Sequence, residues 1–255
     1  MIRIDVLQAN RNFLFLCGVG RSGTTALSEA LNLDPHIVLG IERYKYRFIG
    51  AAPPEEPRQL FEKHRFFSYD PEDTNIRIDS REYGPVYESA LEKFDTATYV
   101  GDKIPGLYKR LPFLHKKFPE CKVIYILRRP LMVANSWQAR ANNNRDNWPK
   151  KNGYRAAIAE WNRSLEIIAN AKEKWGRRLI VVEYERSFGP HAKVEFSKLL
   201  KYLDLPQDFS SRMDEFLSLS EQKAGTERDV SQEIQDHVSE NANFDLYRSI
   251  LQHVI

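Results

Sequence analysis

Short apolar runs alternate with amphipathic stretches along most of this chain. Four runs rich in β-branched and aromatic residues, 13–19, 98–103, 122–128 and 178–184, have the length of buried strands, and Ile37-Val38-Leu39 is a weaker fifth. Between them, apolar residues recur at helical spacing over 24–32, 107–118, 130–142, about 153–175 and 190–203. Pro130 opens the third of these, a position where its missing N–H costs nothing. In the longest, Ile158, Trp161, Leu165, Ile168 and Trp175 share one stripe; Phe196, Leu199, Leu200 and Leu203 form the buried face of the last. Strands alternating with helices predict a three-layer α/β fold, a central parallel sheet flanked by helices on both faces. In such sheets ligands bind beyond the carboxyl ends of the strands.

Residues 50–97 break the alternation. Pro53-Pro54-Glu55-Glu56-Pro57 is rich in turns, charged and aromatic residues follow with little periodicity, and a helix is expected at 80–94. The segment reads as an insertion or lid on the substrate side of one domain spanning 1–255. A polar, helical tail covers about 207–255, weakly patterned over Glu221 to Glu233 and ending in a helix near 243–254.

A chain of 255 residues suits one large domain, and 29% charged residues beside 42% hydrophobic ones suit a soluble one. The net charge of +3 favours an anionic ligand but is too small, and too evenly spread, to argue for nucleic acid. Cys17 and Cys121 each sit in an apolar run, so buried thiols are expected rather than a disulfide. Met1 to Val6 carries no long apolar region and no run approaches the ~18 apolar residues of a membrane span, so a cytoplasmic protein is expected. Oligomeric state is not readable.

The chemistry concentrates after the first strand. Gly18 and Gly23 hold the spacing of the phosphate-binding loop G-x-x-x-x-G-K-[ST], and Thr25 supplies its hydroxyl, but Thr24 stands in the lysine position and a cation appears at Arg21 instead. Glycines let successive N–H groups converge on an anion at a helix N-terminus, so Gly20, Arg21, Ser22, Gly23, Thr24 and Thr25 are candidate anion ligands. A nucleotide kinase would also need a carboxylate at a strand end to hold Mg²⁺; the run Val123 to Leu127 ends in Arg128-Arg129 instead. A basic strand end suits a second phosphate.

Gly20-Arg21-Ser22-Gly23-Thr24-Thr25 resembles the 5′-phosphosulfate loop of sulfotransferases that use 3′-phosphoadenosine 5′-phosphosulfate (PAPS). The stretch Val123 to Pro130, followed by Ser136 eight residues after Arg128, resembles the family's 3′-phosphate site. Val181 to Glu185 and Leu203-Asp204-Leu205-Pro206 resemble its later strand and helix end. The resemblance covers roughly 12–45 and 98–206. It implies a P-loop-like fold, PAPS as donor and adenosine 3′,5′-bisphosphate as product, with no metal. Arg21 would serve the 5′ group, Arg128 and Ser136 the 3′-phosphate, and Tyr184 would lie near the adenine or else be an ordinary core tyrosine.

Cytosolic members commonly use a histidine base where this chain has Lys103, in Gly101-Asp102-Lys103-Ile104-Pro105. The segment is more similar to the carbohydrate- and tyrosine-modifying branches, although Ile104 replaces their small hydroxyl residue. Those branches imply a glutamate base after the second strand, which is Glu42, with Lys103 stabilising the bridging oxygen. The alternatives are a surface Glu42 paired with Arg43 or Lys45, and a solvated Lys103. The six histidines have no metal-ligand spacing, and His64 enters the site only if the insertion folds over it. The acceptor would be a hydroxyl of a small molecule, carbohydrate or lipid. Its pocket is expected between the insertion, where Tyr44, Tyr46, Phe48, Phe66, Phe67 and Tyr69 either stack on acceptor or build core, and Trp137 to Trp148. Two other readings stay open: a nucleotide kinase or NTPase with a degenerate loop, and a nucleotide-binding scaffold without catalysis.

Overall fold

A computed structural model describes residues 11–50, 53–145, 147–223 and 229–254. The N-terminal stretch Met1 to Val6 lies outside the described residues, as does 224–228 of the weakly patterned tail. Five strands form one parallel sheet: β1 (Asn12–Gly18), β2 (Ile37–Ile41), β3 (Tyr99–Lys103), β4 (Lys122–Leu127) and β5 (Leu179–Glu183), in the order β2-β3-β1-β4-β5. Helices of seven or more residues are α1 (Thr24–Leu31), α2 (Gly84–Lys93), α3 (Leu111–Lys117), α4 (Pro130–Asn142), α5 (Tyr154–Trp175), α6 (Ala192–Tyr202), α7 (Ser211–Lys223), α8 (Gln232–Asn241) and α9 (Phe244–Leu251).

The two-residue period of the strands divides the core. Phe15 and Cys17 of β1, Val123 and Tyr125 of β4, and Leu179 and Val181 of β5 face one layer, with Trp161, Leu165 and Ile168 of α5. Leu14, Leu16, Ile124, Ile126, Ile180 and Val182 face the other, with Leu27 of α1 and Phe196, Leu199 and Leu200 of α6. Strands buried on both faces read as continuous apolar runs, which is why they are legible in the sequence.

The stretch expected as one helix over 107–118 is two elements, a 3-10 segment Pro105–Arg110 and then α3. Pro112 lacks the N–H that would tie the turns together, so the helix restarts at its first turn. In the tail, α7 reaches the core through Met213 and Leu217, too few anchors in a polar stretch to be read as a pattern.

The segment 53–97 is built into the core rather than laid over it. Phe61, Phe66 and Phe94 are buried in the same cluster as Phe15, and Phe61 packs edge-on against Phe15 and Phe118 at centroid distances of 5.8 and 6.0 Å. Each such ring contributes roughly 1.5–3 kcal/mol by leaving water. Tyr44, Phe48 and Phe66 are fully buried and belong to this core; Tyr46 is exposed.

The strand order places β1 at the reversal of winding, where the chain passes from β2 and β3 on one side to β4 and β5 on the other. The crevice beyond its carboxyl end is where an open parallel sheet binds ligands. Every strand delivers a polar residue there.

Candidate functional site

The loop leaving β1 turns through two residues of left-handed backbone, Arg21 (φ 73°) and Gly23 (φ 92°), before α1 begins at Thr24. Gly23 is required twice over: its φ favours glycine, and a Cβ there would lie 2.2 Å from the Tyr184 ring. The first N–H groups of α1 have no intrahelical acceptors and lie at the positive end of its dipole, so the loop presents donors to an anion. The indole N–H of Trp137 donates to the Gly20 carbonyl at 2.7 Å, and Trp148 meets Trp137 edge to face at 5.0 Å. These tryptophans brace the loop after β1.

From α4, the Ser136 hydroxyl accepts a hydrogen bond from Arg21 Nε at 3.1 Å. Arg128, one residue beyond β4, donates from Nη1 to the Arg21 carbonyl at 2.9 Å and stacks on the Tyr184 ring, its guanidinium carbon 4.2 Å from the centroid. Arg128 Nε is buried with no hydrogen-bond partner among the described residues. A buried cationic N–H left open beside a helix N-terminus suits an anionic guest. The residues expected at the two ends of the donor thus adjoin, since Arg21 reaches Ser136. Tyr184 is half-buried, with one face under Arg128 and the ring packed on Phe188.

On the other side of β1 lies a second polar group. Pairing in the sheet sets Lys103 level with Leu16 and Ile41. Lys103 is 1% exposed, so it is not a solvated strand end. Its ammonium lies 3.3 Å from Thr25 Oγ1 and 3.3 Å from Glu42 Oε1. Glu42 follows β2 with left-handed backbone at φ 52°, and its other oxygen pairs with Lys45 at 2.7 Å. Burial pushes the Glu42 carboxyl upward, but Lys103 and Lys45 outweigh it and hold it below the ordinary glutamate value. The pairing with Lys45 named as an alternative is therefore present. Arg43 turns away into the interior, and the Glu42 side chain keeps 18% exposure.

Further residues surround this pair. Glu29, one turn beyond Thr25 on α1, has its carboxyl raised by burial against the pull of Lys103. Tyr83, at the start of α2, is pushed up to about 12 by burial and a hydrogen bond with Glu82. His64 does not join them. It stands 80% exposed beside Glu62, on a cavity of about 640 Å³ that Arg47 and Arg65 also line. Cys17 and Cys121 are buried free thiols, and burial raises both. Among the described residues no helix is long and apolar enough to cross a membrane, and no three His, Cys, Asp or Glu side chains form a metal-ligating group.

A model of the sulfotransferase family matches residues 14–209, which include the loop, both strand-end cations and Glu42. The chain belongs to the sulfotransferase family. Among curated relatives, protein-tyrosine sulfotransferase 1 of Homo sapiens is 28% identical over 212 residues, 80% of this chain and 56% of the relative. Protein-tyrosine sulfotransferase A of Caenorhabditis elegans is 25% identical over 205 residues, 77% of this chain and 50% of the relative. The chain thus spans about half the length of the curated relatives it matches. Among solved structures, sulfotransferase STF1 from Mycobacterium tuberculosis superposes with a TM-score of 0.53 at 17% identity, covering 93% of this chain and 78% of that one. The sulfotransferase domain of the Synechococcus olefin synthase gives 0.51 at 19% identity, covering 80% and 76%. These two likenesses bear on the fold, and they agree with the parallel sheet and its flanking helices.

In this member of the family the candidate residues gather beyond the strand ends: Gly20 to Thr25 after β1, Glu42 after β2, Lys103 closing β3, Arg128 after β4 with Ser136 in the next helix, and Tyr184 after β5. Asp102 is absent from the sequence-based set although it is fully buried and touches the Glu42 turn. A carboxylate inside the buried strand Tyr99–Lys103, directly after the neutral run Tyr99-Val100-Gly101, is the signal that marks it. Trp137 carries no comparable signal, because its bond to Gly20 spans 117 residues.

Proposed function

We propose that the chain is a PAPS-dependent O-sulfotransferase with Glu42 as base. The observation that supports this reading best is the bridge from Thr25 through Lys103 to Glu42, with 3.3 Å on each side. It joins the anion loop to a carboxylate through one buried cation.

In this reading the loop Gly20 to Thr25, Arg21 included, holds the 5′-phosphosulfate, Arg128 and Ser136 hold the 3′-phosphate, and Tyr184 borders the adenine. Glu42 takes the proton of the acceptor hydroxyl as its oxygen bonds to sulfur. Lys103 meets the charge that collects on the bridging oxygen as the sulfur–oxygen bond to the 5′-phosphate breaks. Adenosine 3′,5′-bisphosphate leaves with that electron pair. Glu42 is held ionised by its two lysines in the free protein. When the anionic donor draws on Lys103, Glu42 loses part of that stabilisation and becomes a stronger base.

The acceptor is an alcohol or phenol. A base held low suits a phenol, whose pKa of ~10 lies nearer to it than an aliphatic alcohol's, and the relatives named for protein tyrosine point the same way. Calorimetric titration in chelator tests the donor assignment. Adenosine 3′,5′-bisphosphate should bind, Arg128→Ala should abolish binding, and Mg²⁺-ATP should not compete. Tighter binding of Mg²⁺-ATP would favour a nucleotide kinase.

A further inference from the structure

Glu42 is held in a conformation that a glutamate does not choose. Left-handed backbone at φ 52° costs a side chain of this kind free energy, so the surroundings must impose it. Three consecutive N–H groups show how. That of Glu42 donates to the Lys103 carbonyl at 2.8 Å, that of Arg43 to Asp102 Oδ1 at 3.0 Å, and that of Tyr44 to Asp102 Oδ2 at 2.8 Å. Asp102 is fully buried, and each carboxylate oxygen takes one backbone donor of the turn. Gly40 makes room for it, since a Cβ there would lie 2.9 Å from Asp102 Oδ1.

The next side chain anchors the turn from the opposite direction. Arg43 is 0% exposed, and its guanidinium is tied to the segment 65–73. Nε donates to the Phe66 carbonyl at 3.0 Å, Nη1 to Asp73 Oδ2 at 3.2 Å, and Nη2 to the Arg65 carbonyl at 3.3 Å and to that of Ser68. Asp73, also fully buried, accepts from Arg47 Nε at 2.8 Å and pairs with Arg65 at 2.5 Å, while its carbonyl accepts the Tyr46 N–H at 2.9 Å. Taking a guanidinium and a carboxylate out of water is costly, and an apolar pair would fill the same space without that cost. What the ionic pair adds is direction: it fixes one arginine, and hence the residue before it.

We infer that Asp102 and the Arg43–Asp73 pair are positioning residues that hold the Glu42 carboxylate against Lys103, so that the segment 65–73 sets the geometry of the base. This rests on Glu42 being the base. The insertion is then a structural brace for the proton-transfer step.

Asp102→Asn and Asp73→Asn test it, both near-isosteric. Asparagine at 102 keeps one acceptor and turns an NH₂ group toward the second backbone N–H. Crystals of each variant with adenosine 3′,5′-bisphosphate should show residue 42 leaving its left-handed conformation and the Glu42–Lys103 pair opened. With PAPS and an acceptor, kcat should fall roughly tenfold to a hundredfold while bisphosphate affinity changes less than about twofold. Should Asp102→Asn fail to fold, Asp73→Asn carries the same two readouts from a site further from the reacting atoms. An unchanged turn and an intact Glu42–Lys103 pair in the crystals overturn the inference. So does a loss of kcat matched by loss of nucleotide binding or of folded protein. If the wild-type protein transfers sulfuryl to no acceptor, the functional reading fails, and the crystal comparison alone decides the positioning role.

Discussion

Lys103 Nζ and Glu42 Oε1 lie 3.3 Å apart at the carboxyl ends of neighbouring strands, and the lysine is almost wholly buried while the glutamate keeps a path to solvent. The arrangement is asymmetric in a useful way. The cation stays inside, next to the anion loop, and the carboxylate meets what arrives from outside. Replacing Lys103 by methionine keeps the buried stem and removes the charge, and Glu42 retains Lys45 at 2.7 Å. Lys103→Met should therefore fold and still bind adenosine 3′,5′-bisphosphate, with kcat lowered by about 10²–10³. Single-turnover kinetics beside calorimetry separates the two effects.

Glu42 should leave a mark on the pH dependence. Its folded carboxyl lies below the ordinary value, so it contributes stability above the unfolded pKa that is lost as pH falls through the folded one. The acid limb of kcat/KM in wild type should lie below 4.5, the ordinary glutamate value, and Lys45→Ala should move it upward. Asp102 behaves oppositely. Burial pushes its carboxyl up to about 7 from 3.8, so the stability it supports is complete at low pH and is lost as pH rises from about 4 to about 7. Across that window the melting temperature of wild type should fall relative to that of Asp102→Asn. Parallel curves would show that the Asp102 carboxyl titrates alike in the folded and unfolded chain.

Arg128 and Tyr184 form a stacked pair 4.2 Å apart, so charge alone should not replace the arginine. Arg128→Lys is expected to weaken bisphosphate binding at least about tenfold, because a lysine supplies neither the planar fork nor the stack. Tyr184→Phe keeps the ring under the guanidinium and should bind nearly as wild type, whereas Tyr184→Ala should not. Equal affinity in Tyr184→Ala would remove the stack from the donor site.

The sheet and most helices are legible in the sequence because burial on both faces writes long apolar runs and clear stripes. The anion loop is legible for another reason: glycine spacing and a helix start are local. The way the site is held is not local. Ser136 meets Arg21 across 115 residues, and Asp73 meets Arg43 across 30. Ser136 is marked in the sequence by the family resemblance alone, and Asp73 is not distinguishable there from a surface polar residue. The same applies to the insertion, where Phe61 and Phe66 enter the core from a 3-10 segment, Pro57–Phe61, and a four-residue helix, Lys63–Phe66, both too short to write a period.

Gly23 offers a stability test of the loop itself. A methyl group there meets the Tyr184 ring and must adopt φ 92°. Gly23→Ala should lose at least about 1 kcal/mol of stability and bind the bisphosphate poorly. Thermal melts with and without nucleotide would show both effects; an unperturbed melt would mean that the ring moves aside freely.

The most direct measurement follows label from sulfur-labelled PAPS into a panel of phenols, glycans and lipids, comparing wild type with Glu42→Gln in chelator. Label should pass from the donor to an acceptor hydroxyl with wild type. Glu42→Gln should bind adenosine 3′,5′-bisphosphate equally well and transfer about 10²–10⁴-fold more slowly. Transfer by Glu42→Gln at the wild-type rate would contradict Glu42 as base, and absence of transfer by the wild type to every acceptor would contradict the sulfotransferase activity itself.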